Sequence, residues 1–147
     1  MRKKNNTKFL ILGFLIFLTS CRLFVEQKRD FSFIQSVGGI EIEQPILSQD
    51  GWIVPVKCDV SGLSTITTKP KLMNSALECS EIISSKNDTA IFLTVKTSVI
   101  GFKSKDCKCR AVNVGDLVKK PYSVYYIYNG KTEFLGSFDI SEILKDY

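Results

Sequence analysis

Tyr122-Ser123-Val124-Tyr125-Tyr126-Ile127-Tyr128-Asn129-Gly130-Lys131-Thr132-Glu133-Phe134-Leu135-Gly136-Ser137-Phe138-Asp139-Ile140 decides the fold class. Aromatic and β-branched residues crowd both halves, and Asn-Gly sits between them. A two-residue type I′ turn needs positive φ at both central positions, which Asn and Gly tolerate, so the stretch predicts a β-hairpin. Pro121 can open the first strand without removing an internal ladder bond. Ser141 to Tyr147 has room for one or two helical turns at most.

Upstream, period-two alternation recurs and helical periodicity is scarce. Ile40, Ile42 and Ile46 share one parity, and Glu41 and Glu43 take the other. Trp52, Val54, Val56, Cys58 and Val60 form a second set, and Ile91, Leu93, Val95, Thr97 and Val99 a third. Such alternation is the pattern of half-buried strands. Gly38-Gly39, Gln49-Asp50-Gly51, Ser61-Gly62, Lys86-Asn87-Asp88 and Gly101 mark the turns between them. Residues 69–86 are the least legible, and a strand from about Leu77 to Ile83 suits them best. The expectation is an all-β domain, an antiparallel β-sandwich of about seven strands. Its closing hairpin, with Tyr-x-Val-Tyr leading through a turn to an apolar strand, resembles the last two strands of immunoglobulin-like domains. That resemblance covers about twenty residues and implies nothing about function. The Cys-Trp-Cys order of antibody domains is not reproduced, because Trp52 precedes Cys58, Cys79, Cys107 and Cys109.

At the other end, Arg2, Lys3, Lys4 and Lys8 precede an apolar run from Phe9 to Leu18. A cationic n-region before a short h-region is the layout of a signal peptide, and the run is half the roughly 20 residues a membrane-spanning helix needs. It ends in Leu18-Thr19-Ser20-Cys21, which resembles the lipobox of bacterial lipoproteins. The resemblance covers residues 1–21. It implies removal of residues 1–20, a diacylglycerol thioether on Cys21 and membrane attachment through that lipid, which two or more acyl chains make stable. Arg22, in place of the Asp of inner-membrane retention, implies the outer membrane, with the domain facing the periplasm. Residues 21–30 read as a lipidated tether reaching about 30 Å at most, and residues 31–147 as one domain.

Composition excludes several functions. Of the 20 Lys and Arg residues in the 147-residue chain, four lie in the leader, which leaves sixteen against 15 Asp and Glu. A nearly neutral domain is a poor partner for nucleic acid, which demands clustered cations. The run from Lys103 to Arg110 is the one local cluster; it reads first as a solvated loop and only second as a candidate for anionic head groups. The chain has no histidine, which removes the commonest general base and the commonest metal ligand. Ser61-Gly62-Leu63-Ser64 lacks the Gly-x-Ser-x-Gly elbow. No catalytic set, cofactor or metal site is therefore expected.

With Cys21 assigned to lipid, Cys58, Cys79, Cys107 and Cys109 remain as an even four outside the cytoplasm, where disulfides persist. Three pairings exist. In a strand Cys107 and Cys109 would face one side, too far apart for a bridge, which favours each pairing with Cys58 or Cys79; a turn at Lys108 would undo that. A four-cysteine zinc site competes, although Cys-x-Cys is not the usual knuckle, and the Cys-x-x-Cys of redox domains is absent.

Tyr122, Tyr125, Tyr126 and Tyr128 are the candidate binding face, for peptide or sugar. Alternation places Tyr122, Tyr126 and Tyr128 on one side and Tyr125 on the other, so one of these sides belongs to the core. The functional expectation is a non-enzymatic envelope lipoprotein that binds another protein of the envelope or plays a structural part. The alternative is a periplasmic immunity protein or an inhibitor of a cell-wall-active enzyme.

Overall fold

A computed structural model describes residues 26–63, 66, 75–99 and 110–145. The leader and Cys21, Cys107, Cys109 and all but Arg110 of the basic run lie outside these residues.

The described chain is mostly β. In order it forms β1 (Gln27–Lys28), α1 (Phe31–Val37), β2 (Gly39–Ile42), β3 (Ile46–Ser48), β4 (Gly51–Asp59), β5 (Leu77–Lys86), β6 (Ala90–Val99), β7 (Ala111–Gly115), β8 (Pro121–Tyr128), β9 (Lys131–Asp139) and α2 (Ile140–Ile143). The Asn-Gly hairpin is present as read: Tyr128 faces Lys131, and Asn129 and Gly130 hold φ of 48° and 77°. The alternating sets 52–60 and 91–99 supply β4 and β6. Trp52, Val54, Val56, Ile91, Leu93 and Val95 are all buried.

β6 is the spine of a five-stranded sheet. β5 pairs along its length, while β1 and β8 share its other edge, β1 at Lys96 and Thr97 and β8 from Ala90 to Leu93. β9 then pairs with β8. β4 is the spine of a four-stranded sheet, with β7 on one edge and β2 and β3 on the other. The inward faces of both sheets, with Ile34 and Val37 of α1 and Ile140 of α2, form one hydrophobic cluster.

Three expectations are corrected. The β6–β8 pair is parallel, so the larger sheet is mixed rather than antiparallel. The chain leaves β6, contributes β7 to the other sheet and returns as β8, and a detour of that kind is what a parallel pair requires. Nine strands replace about seven among the described residues, because β1 is too short to show alternation, the short alternating stretch of β7 was not read as a strand, and Glu43-Gln44-Pro45 divides one expected strand into β2 and β3. The ordered domain also begins before residue 31: Gln27 and Lys28 pair with Thr97 and Lys96, and the Arg29 N–H donates to the Val95 carbonyl at 3.0 Å.

α1 was absent from the alternation pattern, yet its ends are written in the sequence. Asp30 caps it by accepting from the Phe33 N–H at 2.7 Å, and the Gly38 N–H closes it on the Ile34 carbonyl. Asp at the start and Gly just past the end are the preferred caps of a helix. This short helix covers one end of the core and faces the hairpin.

Candidate functional site

The hairpin register builds a cavity against the start of α1. Alternation along β8 sends Tyr122, Val124 and Tyr126 into the core, and Tyr128 continues that face past the core's edge. Across the ladder, Tyr126 stands opposite Glu133 and Tyr128 opposite Lys131. Asp30, Phe31 and Ser32 at the start of α1 form the facing wall. These residues, with Asn129 at the turn, enclose a cavity of about 390 Å³. The Phe31 and Tyr126 rings lie 5.7 Å apart at 44°.

Hydrogen bonding distinguishes the groups in this cavity. The Tyr126 hydroxyl donates to the Arg29 carbonyl at 2.6 Å and accepts from the Val95 N–H at 3.2 Å, so it is fully engaged within the fold. Burial pushes its hydroxyl up to about 12. The Asp30 carboxylate accepts from the Ser32 hydroxyl at 2.6 Å and from the Phe33 N–H, and both bonds hold its carboxyl below the ordinary carboxylate range. The Tyr128 hydroxyl, the Glu133 carboxylate and the Lys131 ammonium make no hydrogen bond or ion pair among the described residues.

Another cavity, of about 560 Å³, opens where β4 ends and β5 begins. Cys58, Asp59, Glu78, Cys79 and Arg110 are among its lining residues. Two of the four expected bridging cysteines are thus brought together without being joined. Cys58 is a free thiol, which corrects the expectation of a bridge there: across the β2–β4 ladder it faces Ile40, not sulfur. Cys79 is disulfide-bonded, with a partner outside the described residues. Burial, with Asp59 adding to it, pushes the Cys58 thiol up to about 12. A thiol held protonated at neutral pH is neither a nucleophile nor a ready metal ligand. No group of three or more Cys, Asp or Glu side chains among the described residues is disposed to hold a metal ion.

The four tyrosines do not form one binding face. Tyr122 and Tyr126 are 4% and 1% exposed and belong to the core, because the face of β8 that carries them is the one turned towards β4. Tyr125 lies on the outer face of the sheet, stacked on Phe92 at 5.9 Å and meeting Phe134 edge-on at 5.7 Å. Tyr128 alone combines partial burial with access to a cavity. Asp30, Phe31, Lys131 and Glu133 were missed in the sequence, although the two-residue turn carried a signal for the last two: it fixes Tyr128 against Lys131 and Tyr126 against Glu133.

Comparison of the chain with protein-family models, with curated proteins and with solved structures finds no match in any of the three.

Proposed function

We propose that the chain is a lipid-anchored protein of the bacterial envelope, attached through Cys21 to the outer membrane and facing the periplasm, whose β-domain binds another envelope component without chemical turnover. The observation that carries this reading is the short interval between lipobox and fold. Leu18-Thr19-Ser20-Cys21 closes the apolar leader, and β1 enters the sheet at Gln27, six residues beyond Cys21. Fully extended, six residues reach about 20 Å, so the anchor would hold the domain close to the bilayer surface.

Two further features support the compartment and the architecture. The bond at Cys79 suits a location outside the cytoplasm, where disulfides persist. Two sheets about one core suit a β-sandwich; the likeness to immunoglobulin-like domains stays with the β8–β9 hairpin, since the parallel β6–β8 pair departs from an antiparallel neighbour.

The test is Cys21→Ser in cells fed labelled fatty acid. The native chain is expected to take up label and to be shortened by about twenty residues. The variant should remain an unlabelled precursor. Normal processing with label retained on the variant would overturn the reading.

A further inference from the structure

We propose that the cavity between α1 and the β8–β9 hairpin is a binding site for a small organic ammonium ion. Three aromatic side chains from two elements line it, Tyr126 as its buried floor and Phe31 and Tyr128 as the partly exposed rings. Phe31 comes from the first turn of α1, and Tyr126 and Tyr128 from one face of β8. The Tyr126 ring is fixed in place by its hydroxyl bonds to Arg29 and Val95. A ring face attracts a cation through its quadrupole, by about 0.5–1 kcal/mol at an exposed site and about 2 kcal/mol or more when water is excluded.

The charges point to the same ligand. Asp30 and Glu133 place two carboxylates on the cavity against the single ammonium of Lys131. Asp30 is kept ionised by its bonds to Ser32 and Phe33, and the Glu133 carboxylate has no protein partner among the described residues. Lys131 is exposed, at the edge of the turn, on a long flexible stem. An anionic ligand would meet two carboxylates, and a neutral apolar one would strip water from three charged groups without replacing their partners. A compact cation with methyl or methylene surface satisfies both the rings and the excess acid. At about 390 Å³ the space lies in the lower part of the roughly 300–1,000 Å³ range of ligand pockets, which suits a metabolite-sized amine or a single lipid head group. The inference rests on the cavity alone and is independent of the anchor at Cys21.

Choline and its neutral isostere 3,3-dimethylbutan-1-ol are the probes. Each is titrated into the full chain in maltoside micelles and followed by amide NMR shifts. Choline is expected to produce saturable shifts at Asp30 to Ser32 and Tyr128 to Glu133, and the isostere to bind at least about tenfold more weakly, as loss of about 1.4 kcal/mol would give. Glu133→Gln should weaken choline and Lys131→Met should tighten it; both positions are exposed, so folding is not at stake. Equal binding of the isostere, saturable shifts elsewhere or no saturable shift would each overturn the site. Phosphatidylcholine bicelles shifting the same amides would identify the source as a lipid head group. Response to free choline alone would identify a soluble amine.

Discussion

The Tyr126 hydroxyl, near the end of β8, donates to the Arg29 carbonyl at 2.6 Å, across 97 positions of sequence. The same oxygen accepts from the Val95 N–H, so one side chain ties β1, β6 and β8 together where β1 and β8 meet along the edge of β6. Without it, a main-chain carbonyl and an N–H at this junction would lose their partner. Buried main-chain groups left unpaired cost about 1–3 kcal/mol each.

Tyr126→Phe is therefore expected to lower stability by about 2–6 kcal/mol, the sum over the two groups, measured by urea unfolding, with the ring and the core retained. Its effect should also depend on pH in the alkaline range. The folded hydroxyl is pushed up to about 12 and the unfolded one ionises near the ordinary value of about 10. The folded state thus favours the neutral form; that advantage is complete below pH ~10 and is lost as pH rises from there through ~12. Phenylalanine has no such loss. An unfolding midpoint that falls as steeply between those values in the variant as in the native chain would contradict the assignment.

Gly51 and Gly130 separate two reasons for glycine. Gly51 has φ +109°, and a Cβ there would stand 2.8 Å from the Gly115 main chain, where β4 and β7 come together at the bulge between Trp52 and Ile53. Gly130 has φ +77° with nothing within 4 Å of the added carbon. Gly130→Ala should cost about 1 kcal/mol, the penalty of the left-handed region alone. Gly51→Ala should cost clearly more, because main chain must also move. Melting temperatures of the two variants give the comparison, and equal losses would mean that β4 and β7 do not approach so closely.

Cys58 should be inert until the domain opens. With its thiol pushed up to about 12 by burial and by Asp59, the reactive thiolate is far scarcer at pH 8 than in an ordinary cysteine. Brief alkylation followed by peptide mass spectrometry should leave the Cys58 peptide unmodified in the native protein and modified in urea. Labelling at equal rates would place the thiol in water.

The sequence exposed what is periodic and concealed what depends on partners. β4, β6 and the hairpin were legible because each is long, alternates and is half buried, and the Asn-Gly turn fixes its own register. α1 was not, because seven residues make only two turns and Phe31, Phe33 and Ile34 mix helical and alternating spacing; the caps Asp30 and Gly38 were its clearer signal. The parallel β6–β8 pair leaves no trace in alternation, which reports the face of a strand and not its neighbour. The cavity was half legible for the same reason. Tyr128 stood out as an aromatic, but its value comes from Phe31 and Asp30, which lie about a hundred positions away and meet it through the fold.

Asp30 links stability to that cavity. Its carboxylate is stabilised first by the Ser32 hydroxyl and then by the Phe33 N–H, so its folded value lies below the ordinary one. A depressed folded value favours the ionised form on folding. The resulting stability is present above the unfolded value of about 3.9 and disappears as pH falls through the folded value below it. Asp30→Asn keeps an acceptor for the cap, since Asn and Asp serve about equally at that position, and removes only the titration and the charge at the helix start. At pH 7 the variant should be less stable by about 0.5 kcal/mol, within the range for a charge at a helix terminus. The two proteins should converge as the medium is taken well below pH 3.9. Urea unfolding at a series of pH values provides the measurement. A gap that persists at low pH would show that asparagine damages the cap itself, and no gap at neutral pH would show that the Asp30 charge does not contribute to holding α1 against the hairpin.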